Sequence, residues 1–141
     1  MKRNLTLNII LVLLAGCSFN VKPIYNAKEQ AKAETAVKQF HKWHNDRNLN
    51  EIYARFDDKV QGAAQTREQF MTAARETFGR WGELQTTRLD EVKVFPANPV
   101  QVKMIYNSTF EKGSAQEWFT WNIYGDDVRL FEYRVTPGWD K

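Results

Sequence analysis

The chain has 141 residues, of which 43% are hydrophobic and 26% charged, with a formal net charge of +3 and a single cysteine. One cysteine excludes a disulfide within the chain, and the length suits one domain with one core. The small net charge, without a cluster of lysine and arginine, excludes the strongly basic surface that nucleic-acid binding needs.

The first residues have the three parts of a secretory signal. Lys2 and Arg3 place two cations at the N-terminus, residues 5–15 are mostly aliphatic, and small residues precede Cys17. The apolar run is far shorter than the ~20 residues that a helix needs to span a bilayer, so a permanent transmembrane segment is not expected. We predict a signal peptide over residues 1–16, a tether over 17–27 and a single domain over 28–141.

The segment Leu14-Ala15-Gly16-Cys17 resembles the bacterial lipobox, in which a peptidase cuts before a cysteine whose thiol has been acylated. The alternative is an ordinary secreted protein, which would leave Cys17 as a free thiol in an oxidising compartment. Acylation removes this difficulty, and two or three acyl chains hold a protein stably on a membrane. In a bacterium with two membranes, the resemblance implies through Ser18 an outer-membrane lipoprotein that faces the periplasm.

Loss of the leader changes the charge balance of the chain. Lys2 and Arg3 leave with it, so the 20 basic residues fall to 18 against 17 acidic residues, a net charge of about +1. Five tryptophans, five tyrosines and nine phenylalanines are many for a domain of this size, which predicts an aromatic core.

Three helices are predicted after the tether. Residues 28–46 carry one apolar stripe, and Asn48 or Asn50 can cap a short second helix. Thr66 and Gln69 have the spacing of a capping box that opens a third helix, which Gly79 is expected to end. The apolar residues of the three stripes are Ala33, Ala36, Val37, Phe40, Trp43 and His44, then Leu49, Ile52, Tyr53 and Phe56, then Phe70, Ala73, Ala74 and Phe78.

After Gly82 the apolar period changes from 3.6 to 2, which predicts an antiparallel meander of four strands over residues 84–95, 100–110, 115–124 and 128–136. A turn at 111–114 is expected to set Phe110 opposite Ala115. The register then pairs Ser108 with Glu117, Tyr106 with Phe119, Met104 with Trp121 and Val102 with Ile123. A three-residue turn at 125–127 is expected to pair Trp121 with Phe131, Phe119 with Tyr133 and Glu117 with Val135.

Three helices followed by a meander predict an α+β domain whose helices pack on one face of a curved antiparallel sheet. Residues 34–136 resemble the nuclear transport factor 2-like (cystatin-like) superfamily, in which the sheet wraps a long helix as a cone. The chain is most similar to small bacterial lipoproteins that carry a domain of this fold. The positions that carry the resemblance are Phe40, Tyr53, Phe70 and the segment 106–121, YNSTFEKGSAQEWFTW. These positions define a shape and do not specify an activity.

Glu117 is the candidate for chemistry inside the cone. The register points its side chain inward, and its candidate pocket is formed with Tyr106, Phe119, Trp121 and Tyr133. Enzymes of the superfamily place acids and bases there, and a carboxyl in an apolar pocket is expected to have a raised pKa that suits a general base. The structural alternative is a carboxylate near a strand end, bonded to Ser108 or a backbone amide, with no second inward acid or histidine beside it.

His41 and His44 are three residues apart, a spacing that can bring two imidazoles to one metal. His44 falls on the apolar stripe beside Trp43, so we expect it to be packed, and His41 falls toward the solvent edge. No Asp, Glu or Cys cluster elsewhere in the sequence completes a metal site by motif. Neither a metal nor another cofactor is predicted. The sequence also lacks a phosphate-binding glycine loop and a Gly-x-Ser-x-Gly nucleophile motif.

The outward face of the third strand carries the candidate contact surface, formed by Trp118, Asn122 and Tyr124. Exposed aromatic patches often mark protein contacts, and sheet-to-sheet dimers are common in proteins that this chain resembles. Among the other tryptophans, Trp81, Trp121 and Trp139 are expected to fill the cone and cover its mouth. The leading hypothesis is therefore a non-enzymatic lipoprotein that binds a protein partner or a second copy. The alternative is a small-ligand carrier or weak enzyme that uses the interior around Glu117.

Overall fold

The computed structural model describes residues 22–59 and 66–138. Three helices precede four strands that form one antiparallel sheet in the order β1-β2-β3-β4, which confirms the α+β prediction. The elements are α1 (Ala27–Asn45), α2 (Leu49–Ala54), α3 (Arg67–Trp81), β1 (Leu84–Phe95), β2 (Val100–Phe110), β3 (Gly113–Tyr124) and β4 (Asp127–Pro137). The predicted leader, Cys17 and Trp139 lie outside the described residues. Within 22–59 and 66–138, no helix is long and apolar enough to cross a bilayer.

Helix α1 begins where a side chain satisfies its first free amides. The side-chain oxygen of Asn26 accepts from the backbone N–H of Glu29 at 3.2 Å. Just before the helix, Ile24 donates its N–H to the backbone oxygen of Val94 at 2.8 Å. The last part of the expected tether is therefore already attached to the edge of β1.

The predicted caps of the other helices are confirmed, but one stop signal is wrong. Asn48 caps α2, and Thr66 and Gln69 form the reciprocal capping box of α3. Gly79 does not end α3, because the helix continues to Trp81 and ends at Gly82. Gly82 has φ +73° and ψ −150°, a conformation that essentially only glycine adopts, whereas Gly79 is an ordinary helical residue.

The strand register differs from the prediction in two places. A two-residue turn joins β2 to β3 and pairs Phe110 with Gly113, so every predicted partner on β3 is displaced by two residues. The displacement is even, so each side chain keeps its predicted face. Between β3 and β4, Phe119 pairs with Tyr133 and Glu117 with Val135 as predicted. Trp121 pairs with Leu130 and not with Phe131, because Phe131 is the extra residue of a β-bulge.

The core lies between the helices and the inner face of the sheet. The ring of Phe40 from α1 stands 5.1 Å from that of Phe119 and 4.6 Å from that of Tyr133, centroid to centroid. Phe119 in turn stacks on Trp121 at 5.9 Å. These rings are almost completely buried, so aromatic side chains occupy the inside of the sheet as the composition predicted.

Candidate functional site

Glu117, in the middle of β3, accepts three hydrogen bonds from side chains inside the domain. Its Oε1 accepts from the hydroxyl of Tyr133 at 2.8 Å, and its Oε2 accepts from His41 Nε2 at 2.9 Å and from Ser108 Oγ. Ser108 in turn accepts from Thr87 Oγ1 at 2.8 Å. Glu117 is 0% exposed, so α1 and all four strands are connected through one buried carboxylate.

The prediction that His41 lies toward solvent is wrong. His41 is only 7% exposed, and its ring lies 5.7 Å from that of Phe119 and 6.1 Å from that of Tyr106. The buried face of α1 is wider than the predicted apolar stripe, because the sheet curves around the helix and also covers His41. The expectation that no histidine accompanies Glu117 is therefore wrong.

The electrostatics of Glu117 are the reverse of those of a raised-pKa general base. Burial alone would raise the pKa of Glu117, but attraction by His41 and the hydrogen bonds from His41, Ser108 and Tyr133 hold it below its ordinary value. Burial and the charge of Glu117 raise the pKa of Tyr133 well above its ordinary value. The carboxyl therefore remains an acceptor and the phenol a donor near neutral pH.

The predicted pocket residues come together, but as a packed cluster around this bond network. Tyr133 bonds Glu117 directly, and Tyr106 and Phe119 surround the imidazole of His41. Trp121 packs farther along the strand, next to a cleft of about 220 Å³ that is also lined by Trp43. The arrangement can connect helix to sheet, and its carboxylate already has a donor on each oxygen.

A second buried polar cluster, centred on Asp57, was missed by the sequence analysis. Asp57 follows α2 and is 1% exposed, and its Oδ2 accepts from Asn122 Nδ2 at 2.7 Å and from the Tyr124 hydroxyl at 2.9 Å. Its Oδ1 accepts from the backbone N–H of Lys59 at 3.0 Å. The segment after α2 is thus bonded to the outward face of β3, which no local pattern in the sequence indicates.

This cluster changes the candidate contact surface. Asn122 is 2% exposed and Tyr124 is half-buried against Asp57, so the expectation that all three residues form an exposed patch is wrong. Trp118 is half-buried and faces outward, with the guanidinium of Arg134 4.9 Å from its ring. It lines a cleft of about 320 Å³ on the outer face together with Ile105 and Thr120.

His44 is packed, as predicted. Its ring lies 4.2 Å from that of Phe78, and its Nε2 donates to the backbone oxygen of Gly82 at 3.0 Å. Burial lowers the pKa of His44, because the charged imidazolium would lose its hydration there. Across the two described ranges, no group of three or more His, Cys, Asp or Glu residues is placed to hold a metal ion.

No protein-family profile matches this chain, and no curated protein sequence matches it. Solved structures do resemble it in three dimensions, and two of them illustrate the likeness. Bd1075 from Bdellovibrio bacteriovorus superposes with a TM-score of 0.54 at 10% identity, covering 81% of this chain and 42% of that one. Aln2 from a Streptomyces species superposes with a TM-score of 0.53 at 13% identity, covering 81% of this chain and 94% of that one.

The likeness is one of fold. This chain spans about two fifths of the length of Bd1075 but nearly the whole of Aln2. Both identities are far too low for residue roles to be carried over, so the comparisons establish a small α+β domain with a curved antiparallel sheet.

Proposed function

We propose that this chain is a lipid-anchored bacterial protein whose domain, of the nuclear transport factor 2-like shape, binds a protein partner without catalysing a reaction. Acylated Cys17 anchors it to the outer membrane, and the domain faces the periplasm. The anchor rests on the sequence from Leu14 to Cys17 and on the charged, apolar leader before it.

The observation that carries the binding role is the outer-face cleft around Trp118. Its floor is formed by Trp118, Ile105 and Thr120, and its rim carries charges of both signs. Trp118 itself is half-buried, so part of its ring remains accessible in this cleft. An aromatic floor inside a charged rim is the composition of a protein-interaction hot spot.

The alternative, a small-ligand carrier or weak enzyme centred on Glu117, is less well supported. The carboxylate of Glu117 is fully buried and accepts from three side chains. A substrate would have to displace His41 or Tyr133 before it reached the carboxylate. A carboxylate that already accepts three hydrogen bonds is better suited to holding helix and sheet together than to acting as a general base.

Photo-crosslinking in the native membrane tests the binding role. A photoreactive amino acid at Ile105 should give a crosslinked band, and the same amino acid at Tyr25, which is 88% exposed elsewhere, serves as the matched control. The band at position 105 should disappear when Trp118→Ala is added. Equal crosslinking at both positions, or none at 105, would refute the assignment of this surface. Cys17→Ala tests the anchor separately and should release the protein from the membrane fraction.

A further inference from the structure

Ile24 and Tyr25 are the large hydrophobic side chains that remain exposed among the described residues. Ile24 is 47% exposed and Tyr25 is 88% exposed, and the two are adjacent in the chain. Their position on the domain is fixed, because the N–H of Ile24 donates to the oxygen of Val94 at 2.8 Å and Asn26 caps α1. Folding therefore leaves two apolar side chains in contact with water, side by side at one place on the surface.

The chain reaches this place directly from the predicted lipid anchor. Cys17 is seven residues before Ile24, and seven residues span at most about 25 Å. Helix α1 has 19 residues and is therefore about 28 Å long. A domain acylated at Cys17 is thus held to the membrane by a tether shorter than its own longest helix, and the side on which Ile24 lies is the side nearest to the lipid.

The bridge to β1 identifies the end of the sheet that lies beside this tether. Ile24 pairs with Val94 in the antiparallel sense, so the chain before Ile24 runs toward the end of β1 at Phe95. The turn after Phe95 has the sequence Pro-Ala-Asn-Pro and carries no charge, and its residues 96–98 are exposed. Two exposed, uncharged segments, 23–25 and 96–98, are therefore neighbours at one end of the domain. We call these two segments the tether end.

The charges around the tether end suit an anionic lipid surface. Lys22 and Lys28 flank its first segment in the sequence, and both are exposed. Farther along α1, the ammonium group of Lys32 lies 3.6 Å from Glu29 and 3.4 Å from Asp126, so these two acids are already paired. Exposed apolar side chains flanked by cations are the composition with which proteins adsorb on bilayers that contain anionic lipids.

We infer that the tether end lies on the headgroup surface of the membrane, with Ile24 and Tyr25 inserted between the lipids. The inference rests on the lipid anchor of the proposed function and names the surface that the anchored domain turns to the bilayer. Tyrosine is enriched at this depth, because its ring is apolar while its hydroxyl remains hydrated. Two side chains alone would bind a bilayer weakly, but acylation keeps the lipid at a high effective concentration beside them.

Site-directed spin labelling of the acylated chain on vesicles of phosphatidylethanolamine and phosphatidylglycerol tests the inference. Because acylation occupies the Cys17 thiol, Ala97→Cys provides the only reactive thiol and places a nitroxide at the tether end. The control is Ser114→Cys, which is also exposed and lies beyond the other end of β2, an 11-residue strand of about 35 Å. We expect collisions with a water-soluble nickel chelate to be about threefold rarer at position 97 than at position 114.

Variants of the two exposed side chains distinguish insertion from mere closeness to the anchor. The double variant Ile24→Ser, Tyr25→Ser keeps the tether and should raise the nickel collisions at position 97 to the level at position 114. Tyr25→Trp keeps an aromatic side chain that favours the interface and should retain the protection. Equal collisions at both positions in the parent, or protection that persists in the double serine variant, would overturn the inference.

Cosedimentation with the vesicles separates this inference from the anchor itself. A chain that sediments with the vesicles but is equally accessible at both label positions would keep the anchor and overturn the inference. A chain that stays in the supernatant would overturn the anchor and the inference with it. Neither result involves a protein partner, so the contact surface around Trp118 is tested independently by crosslinking at Ile105.

Discussion

His41 on α1 donates a 2.9 Å hydrogen bond to Glu117 at the centre of β3, and both side chains are buried. The pair joins the longest helix to the sheet across 76 residues of sequence. A buried carboxylate is tolerated only when its oxygens are hydrogen-bonded, and here His41, Ser108 and Tyr133 donate to both of them. The pair therefore fixes how α1 sits in the sheet.

Replacing the carboxylate with its neutral isostere should weaken the domain. Glu117→Gln removes the charge and turns an amide N–H₂ toward a donor, so we expect a loss of about 3 kcal/mol in the free energy of unfolding. Urea unfolding followed by tryptophan fluorescence measures it. The control Glu83→Gln, at an exposed position, should change the free energy by less than about 0.5 kcal/mol. A Glu117→Gln variant as stable as the parent would contradict the structural role.

Stability should fall on mild acidification because of His44. Its pKa in the folded state lies below the ordinary histidine value of 6.5, so the unfolded chain takes up the proton first and the folded state loses stability as the pH falls from 6.5. In His44→Phe this part of the pH dependence should disappear. Unfolding free energies measured between pH 7.5 and 5 test it, and an identical slope in the variant would exclude His44 as the cause.

At lower pH the contribution of Glu117 should be lost. Its folded-state pKa is held below the ordinary glutamate value of 4.5, so its stabilisation is fully present above that pH and disappears as the pH falls through the folded-state pKa. The parent should therefore show a second decline below pH 4.5 that is missing in Glu117→Gln. The same titration of unfolding free energy, extended to pH 3, measures this difference.

Two glycines of the α3 region should respond in opposite directions to alanine. At Gly82, φ is +73° and an added Cβ would lie 2.5 Å from Glu111 Oε2, so Gly82→Ala should cost about 1–3 kcal/mol. At Gly79 a Cβ would meet no heavy atom within 4 Å, so Gly79→Ala should stabilise by about 0.5–1 kcal/mol. Thermal unfolding of both variants decides between this assignment and a helix that ends at Gly79.

Asp57 and Asp58 form a matched pair for the second polar cluster. Asp57→Ala would leave Asn122 and Tyr124 without their acceptor, and we expect a loss of about 2–4 kcal/mol. The side chain of Asp58 is 65% exposed, so Asp58→Ala should have little effect. Equal effects in urea unfolding would show that the buried bonds of Asp57 contribute nothing.

The sequence predicts the elements of this fold well because their signals are local. Two such signals depend only on residues close together in the sequence, and both are confirmed. They are the capping box at Thr66 and Gln69 and the alternation along β3. The inward direction of Glu117 follows from the same alternation. The two-residue displacement between β2 and β3 was missed because a two-residue turn and a four-residue turn preserve the same faces.

The partners of the buried polar groups could not be predicted, because they come from distant parts of the chain. His41 meets Glu117 only when the sheet curves around α1, and Asp57 meets Asn122 only when the segment after α2 pairs with Leu130. The only signal in the sequence for the burial of His41 is the width of the apolar face of α1. His41 lies beside Phe40 at the margin of the apolar face of α1 and could have been assigned to that face.

The most direct test of the binding role is native mass spectrometry of the acylated protein after gentle detergent extraction from its own membranes. Our account predicts a mass larger than that of the acylated chain by a protein, lost in Trp118→Ala and retained in Tyr25→Ala and Glu117→Gln. A small bound species that disappears in Glu117→Gln would contradict the account and assign the function to the interior of the domain.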